Sequence, residues 1–370
     1  MDYAARRERV YQWMGQNRID AAFVNADPDV HYLTGMPGDS VLFLFERGSS
    51  ILLPWDEVVA RNLANADEII PYTDFDRDVK TALKHFLGVY QVGAGKRVEA
   101  PSETSYTDFE ALKIACGSAG LVCRSVGLGS ELRNMRAVKD AEEIALLCRA
   151  ADVTNQILES LEERICSGKL RSEFDIAHFL EREARSAGAE EMGFETIVAG
   201  CGRSNTIHAV PSVSNETFSE PGCGIIDFGV KIDGYTSDIT TTFVFGPPTD
   251  LQNRMLDLVE RAYEEAVALA LPGGDLREIA RHVDALFESA GHQMPHSLGH
   301  GVGLEIHEAP WLRSKSTEPA PIEPGMVFTI EPGLYSAAEG GVRLENDVVI
   351  EEHGARIITN SRIVRLPDLR

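Results

Sequence analysis

The segment GKLRSEFDIAHFLEREARSAGAE, residues 168–190, returns in altered form as GDLREIARHVDALFESAGHQ, residues 274–293. Each follows a long helix-patterned run. Each opens on glycine and a Leu-Arg pair and closes on Ala-Gly before a β-rich stretch with turn residues. Such self-similarity constrains the fold strongly, because each copy must bury its apolar face against a unit built the same way. Two copies are too few for a solenoid. They predict a duplicated α+β unit with pseudo-twofold symmetry.

Upstream the pattern is different. A helix is expected over 4–18, strands at 21–24, 41–45 and 49–53, helices near 56–66 and 76–88, a strand at 97–100 and a helix over 105–117. This alternation indicates an α/β domain with a mostly parallel or mixed sheet. The glycine-rich VGAGK at 92–96 lacks the rest of a phosphate loop and reads as a turn. From Ala137 to about Ile165 the apolar residues keep helical spacing. The chain of 370 residues is thus read as an N-terminal α/β domain over 1–128 and a C-terminal α+β domain over 129–370.

A formal net charge of -23 argues against a nucleic-acid partner, since phosphate binding needs a basic surface. No stretch approaches the roughly 20 apolar residues of a membrane span, and the charged N-terminus lacks the apolar core of a signal peptide. The six cysteines are scattered, with no C-x-x-C, and read as free thiols. A cytoplasmic protein is expected.

Acidic residues in strand-like runs carry the chemistry. In GIIDFGVKIDGYTSDITTTFVFG, 224–246, Asp233-Gly234 signals a two-residue hairpin turn. That register opposes Ile232 to Tyr235 and Asp238 to Gly229, making Asp227 and Asp238 diagonal neighbours about 7–8 Å apart at the backbone. Either a cation sits between two such carboxylates or one of them turns to solvent. Glu331 and Glu345 lie in further apolar runs, with their relative register open. Between these pairs, PHSLGHGVGLEIHEAP, 295–310, holds His296, His300 and His307. Its glycines and Pro310 exclude the helix that a zincin H-E-x-x-H needs, so a strand or loop is expected. Oxygen ligands with one imidazole suit Mn²⁺, Co²⁺, Fe²⁺ or Zn²⁺, and four carboxylates suit two ions better than one.

Taken together, DFGVKIDGYTSDITTTF (227–243), HSLGHGVGLEIHEAP (296–310), TIEPGLY (329–335) and GVRLEND (341–347) resemble the ordered ligand segments of the pita-bread metallopeptidases. That family includes Xaa-Pro dipeptidase (prolidase), aminopeptidase P, methionine aminopeptidase and, without metal, creatinase. The resemblance covers nearly the whole chain and implies a creatinase-like N-terminal domain ahead of a pita-bread catalytic domain. It implies that Asp227, Asp238, His300, Glu331 and Glu345 hold two divalent ions, Mn²⁺ first, with Co²⁺ or Zn²⁺ as alternatives. A bridging hydroxide would attack the peptide carbonyl before proline. Glu331 would carry the proton to the leaving nitrogen, and His208 and His307 would stabilise the oxyanion. His296 would be structural. Arg343 would fork onto the substrate's C-terminal carboxylate or form an internal salt bridge, and Phe194 would line a proline pocket or pack in the core.

Two positions depart from the family pattern: Ala209 follows His208 where glycine is usual, and Thr241 stands where arginine is common. The N-terminal domain disfavours methionine aminopeptidase, and the complete acidic set disfavours creatinase. Xaa-Pro dipeptidase is the expected activity, with aminopeptidase P, which acts on longer peptides, as the alternative. A non-catalytic binding module of the same fold is the reading from another class. The family further implies a homodimer, and DPDVHYLTGMPGDS, 27–40, is the candidate for a loop that closes a partner's site.

Overall fold

The structure, a computed structural model, describes residues 1–366. The chain divides by packing into two compact units, with the division between Met135 and Arg136.

The first unit contains α1 (Tyr3–Asn17), β1 (Ala21–Val24), α2 (Asp27–Thr34), β2 (Ser40–Phe45), β3 (Ser49–Pro54), α3 (Glu57–Leu63), β4 (Glu68–Ile69), α4 (Val79–Val89), β5 (Arg97–Glu99), α5 (Tyr106–Cys116) and β6 (Gly120–Val122). Its mixed six-stranded sheet has the order β4-β3-β2-β1-β5-β6. Strands β1, β2 and β3 are antiparallel neighbours, whereas β1–β5 and β5–β6 run parallel. Phe23, Phe43, Phe45 and Phe86 anchor the core. The segment 27–40 is mostly not a loop. Residues 27–34 form α2, with Val30, Tyr32 and Leu33 buried. Pro28 lies in the first turn, where its missing N–H costs nothing, and Gly35 ends the helix at φ +75°.

Helix α6 (Leu128–Ala137) spans the division. The second unit continues with α7 (Ala141–Cys166), α8 (Glu173–Ser186), β7 (Glu191–Met192), β8 (Ile197–Ala199), β9 (Gly222–Phe228), β10 (Val230–Ile232), β11 (Tyr235–Thr236) and β12 (Ile239–Phe245). There follow α9 (Asp250–Leu269), α10 (Leu276–Ser289), β13 (Gly299–Gly301), β14 (Glu308–Leu312), β15 (Val327–Ile330), β16 (Gly333–Ser336), β17 (Gly340–Arg343), β18 (Asn346–Glu351), β19 (Gly354–Ile357) and β20 (Val364–Leu366).

The duplication is visible in the hydrogen bonds. Both long helices, α7 and α9, open on a capping box, Asp140 with Glu143 and Thr249 with Gln252. The caps of α8 and α10, Ser172 and Asp275, each form one β-bridge, to Thr217 and Pro321 respectively. Both short helices end on a glycine of positive φ, Gly188 and Gly291. Each copy has its own apolar cluster, one around Ile176, Leu180 and Ile226, the other around Ile279, Val283 and Phe328. The Gly-Leu-Arg similarity in the sequence is out of step by a turn, however. Leu170 and Arg171 precede the cap of α8, while Leu276 and Arg277 lie inside α10. Helix pattern is tolerant of such a slip, because residues three apart share a face.

Two sheets carry the site, ordered β16-β17-β9-β12-β20 and β14-β13-β15-β18-β19. The first is centred on the β9–β12 pair and the second on β15–β18. The hairpin register is the expected one: Ile232 pairs with Tyr235, and Thr240 with Asp227. Asp233 and Gly234 both have positive φ, as a type I′ turn requires. Among the described residues, no helix is long and apolar enough to cross a membrane.

Candidate metal centre and active site

Asp227 lies near the end of β9, and Asp238 immediately precedes β12. Glu331 follows β15, Glu345 precedes β18, and His300 is the middle residue of β13. All five line one cavity of about 580 Å³, together with Phe194, His208, His307 and Arg343. A strand end offers a rigid backbone behind a side chain that is free to face the cavity.

The glycines beside the histidines have a steric origin. A Cβ on Gly301 would collide with the Ala309 carbonyl, and one on Gly303 with the Glu308 carboxylate. Only glycine lets strands β13 and β14 approach this closely. A bulge between His300 and Gly301 sets the register, with His300 opposite Trp311.

His300 is buried, and burial together with nearby His307 pushes its pKa down to about 3. The imidazole is therefore neutral. Its Nδ1 lies 3.2 Å from the Gly301 carbonyl, which assigns the proton to Nδ1 and leaves the Nε2 lone pair facing the cavity. Nε2 stands 3.6 Å from both Asp238 Oδ2 and Glu331 Oε1. That is too long for hydrogen bonds, but two ligands each about 2.0–2.2 Å from one ion are separated by roughly this much. Asp238, His300 and Glu345 each offer a ligand atom, all within 4.8 Å of one another.

The carboxylates are crowded. Burial, reinforced by repulsion from Glu345 and Asp227, raises the pKa of Asp238 well above the usual carboxylate range. Burial and Glu345 do the same to Glu331. Burial and Asp227 bring Glu345 to about 7. Asp227 Oδ1 and Asp238 Oδ1 are buried without a hydrogen-bond partner. Orphaned carboxylate oxygens around an imidazole lone pair fit divalent cations.

Arg343 forms the internal ion pair that the sequence left as one alternative. Its Nη2 lies 2.5 Å from Asp227 Oδ2. Nε donates to the Thr240 hydroxyl at 2.9 Å, and Nη1 donates to the Ile207 carbonyl and the Tyr335 hydroxyl. A substrate carboxylate would have to compete with Asp227 for this guanidinium. Tyr335 and His296 extend the network, with His296 Nε2 at 3.0 Å from the Tyr335 hydroxyl and Nδ1 at 2.8 Å from the Ser297 carbonyl. His296 is neutral, because burial and Arg343 lower its pKa to about 4.

His208 and His307 are exposed to the cavity, and burial and His208 lower the pKa of His307. Phe194 is half-buried between β7 and β8 at the cavity wall. Thr241 is buried, its hydroxyl 2.7 Å from that of Ser361, a setting closed to an arginine without rearrangement.

Sequence reasoning missed three contributors. Thr240 donates to Glu345 Oε2 at 2.6 Å, and Asp347 accepts the Asp238 backbone N–H at 2.9 Å. Trp311 stacks with His307, ring centres 6.5 Å apart. Alternation along β12 could have pointed to Thr240. Nothing in the sequence marked Asp347 as inward-facing beyond its place in a strand-like run.

The chain is similar to known proteins along nearly its whole length. Residues 145–352 match metallopeptidase family M24, and residues 6–138 match the creatinase/prolidase N-terminal domain. The chain is 30% identical over 357 residues to an Xaa-Pro dipeptidase from Pyrococcus horikoshii, covering 96% of each. Its fold superposes on the crystal structure of the prolidase from Pyrococcus horikoshii OT3 with a TM-score of 0.85 at 27% identity, covering 98% of this chain and 99% of that one. An X-Pro aminopeptidase from Thermotoga maritima MSB8 superposes with a TM-score of 0.81 at 28% identity, covering 98% and 100%. With a creatinase/prolidase-type first unit and a second that gathers acidic residues and one buried imidazole around a cavity, the chain belongs to metallopeptidase family M24 and is a hydrolase of the divalent-metal peptidases.

Proposed function

We propose that the protein hydrolyses Xaa-Pro dipeptides, using two divalent cations held by Asp227, Asp238, His300, Glu331 and Glu345, with Mn²⁺ as the first candidate. The observation that carries this is the position of His300 Nε2, 3.6 Å from both Asp238 Oδ2 and Glu331 Oε1, with Glu345 close enough to offer a further ligand atom. When bound, the cations supply Lewis acidity, polarising the scissile carbonyl and lowering the pKa of the attacking water.

The chain's own residues do the rest. One carboxylate oxygen of Glu331 takes the proton from the attacking water and returns it to the proline nitrogen, which has no N–H of its own. His307, neutral at pH 7, donates an N–H to the developing oxyanion, and His208 lines the same cavity as a second donor. Arg343 orients Asp227 and Tyr335. Phe194 offers an apolar surface to the proline ring. The working form is a cytoplasmic homodimer.

The test is cleavage of Ala-Pro and Ala-Pro-Ala by chelator-stripped protein given Mn²⁺, Co²⁺ or Zn²⁺. Hydrolysis of the dipeptide by at least tenfold in preference to the tripeptide is expected. Comparable rates would make the protein an aminopeptidase P, and no metal-dependent cleavage would remove both readings.

Charge crowding gives a second expectation. The carboxyl groups of Asp238, Glu331 and Glu345 have folded-state pKa values above their unfolded ones, so the metal-free folded state binds more protons than the unfolded state. Their contribution to stability is then full below the unfolded carboxylate range and is lost as pH rises through about 7, the value for Glu345. In thermal scans, the Tm of stripped protein should fall between pH 5 and pH 8, and saturating Mn²⁺ should flatten that trend. A stripped protein whose Tm is level or rises over this range would contradict the crowding.

A further inference from the structure

Residues 200–221 join β8 to β9 and bring Ile207, His208, Ala209, Val210 and Ser212 to the wall of the candidate active site. The two sides of this loop meet on one residue. Glu173, the first residue of α8, is 0% exposed. Its Oε1 accepts the Gly200 N–H at 2.8 Å, and its Oε2 accepts the Ser214 N–H at 2.8 Å. His208 lies between these two points in the chain. Arg203 Nε lies 3.5 Å from the same carboxylate, and Arg203 Nη2 donates to the Pro211 carbonyl, so one guanidinium also ties the outgoing side to the returning side.

The duplication shows what the fold itself asks of this position. In the first copy the Arg171 carbonyl accepts from Phe218, Ser172 bridges Thr217, and the Glu173 N–H donates to Glu216. In the second copy the Gly274 carbonyl accepts from Ile322, Asp275 bridges Pro321, and the Leu276 N–H donates to Ala320. The contacts match step by step, which makes Glu173 and Leu276 equivalent. Leu276 is also 0% exposed and packs in the apolar cluster of its own copy. The fold is therefore satisfied by an apolar side chain here. The second copy's connection to β15 contains strand β14, which pairs with β13 and holds itself by backbone bonds. Among the described residues, 200–221 contain no strand. A carboxylate is expensive to bury. Glu173 offsets that cost with two backbone donors, Arg203 and the positive end of α8.

We propose that Glu173 is a positioning residue for the reaction: it clamps both sides of 200–214 and thereby fixes His208 against the substrate, acting through His208 and not on the reacting atoms. The inference rests on the Xaa-Pro peptidase reading above, in which His208 is the second donor to the oxyanion, and adds what holds that donor in place.

The test uses the metal-loaded full chain and Ala-Pro. Glu173→Leu installs the residue of the second copy and removes both acceptors. Glu173→Gln keeps the shape but has one acceptor oxygen and one amide donor, so one of the two N–H groups faces a donor. Glu173→Leu is expected to lower kcat/KM roughly 10- to 100-fold, part of the about 10²–10³-fold that one oxyanion donor is worth, with Glu173→Gln in between. The loss should fall on kcat more than on KM, since His208 acts on the transition state. In a His208→Ala background the same two changes are expected to lower kcat/KM by no more than about twofold, because the residue they position is gone. Hydrogen exchange gives a second measure that needs no activity. Residues 200–214 should be protected in the wild type and exchange faster in both variants, with α8 and β9 unchanged. The wild-type measurement stands even where a variant fails to fold. A role in packing alone would lower Tm and leave the effects of Glu173 and His208 additive. Additive effects, a Glu173→Leu enzyme within about twofold of wild type, or loop amides that exchange freely in the wild type would each overturn the proposal while the peptidase reading stands. So would a His208→Ala enzyme with wild-type kcat/KM, which leaves no residue to position. A wild type that cleaves no Xaa-Pro peptide would remove that reading and the proposal together.

Discussion

Asp238→Asn should lower kcat/KM for Ala-Pro by about 10³-fold or more while leaving the metal-free protein at least as stable as the wild type. The two halves of this expectation have one cause. Asp238 is 4% exposed, Oδ2 faces His300 Nε2, and Oδ1 has no protein partner. Without cations this carboxylate is burdened by burial and by its neighbours Glu345, Asp227, Asp347 and Glu331. Asparagine keeps the shape and removes the charge, so repulsion falls and folding does not suffer. With cations, the same change removes a negative ligand from the group formed with His300 and Glu345. Losing several kcal/mol of transition-state stabilisation corresponds to about three powers of ten in rate. Steady-state kinetics at saturating Mn²⁺, metal content by elemental analysis and Tm with and without chelator would measure all three effects. A variant that retains full metal content and activity within tenfold of wild type would show that Asp238 is not a ligand.

What the sequence made legible was the part governed by period and turn chemistry. Asp233-Gly234 set the hairpin, and period two then placed Asp227 and Asp238 on one side of it, as the pairing of Thr240 with Asp227 bears out. The helical period from Ala137 and the strands at 21–24, 41–45 and 49–53 were readable for the same reason. Helix α2 was not, because Asp27-Pro28 carries turn and helix-start signals alike, and burial of Val30 and Leu33 decides between them. Arg343 shows a different limit. Its type fits a substrate carboxylate and an internal pair equally well, and only the position of Asp227, more than a hundred residues away in the chain, resolves which one forms. Trp311 was silent for a similar reason. It does not belong to the ligand segments, and the pairing that sets Trp311 opposite His300 lies beside a register shift that alternation cannot foresee.

The β13–β14 pair is tied to a buried ion cluster through Glu308, and breaking that cluster should cost about 3–5 kcal/mol of stability. Glu308 follows His307 and pairs with Gly301 across β13 and β14. Its side chain and that of Lys139 are each 1% exposed, 2.9 Å apart, and Arg136 reaches the same carboxylate at 3.2 Å. Lys139→Ala removes one cation and leaves the buried carboxylate with Arg136, which is shared with Glu305. In urea melts the midpoint should fall without a change in m, because the loss is local to a packed interior. Lys139→Met combined with Glu308→Gln should lose much less than the sum of the single changes, since neither partner is then left charged and alone. The single variant should also raise KM or lower kcat in the surviving folded fraction, because Glu308 fixes the strand that presents His307 and Trp311 to the cavity. If Lys139→Ala stays within about 1 kcal/mol of wild type, the pair behaves as a solvated surface bridge. The placement of His307 must then come from the close backbone approach at Gly301.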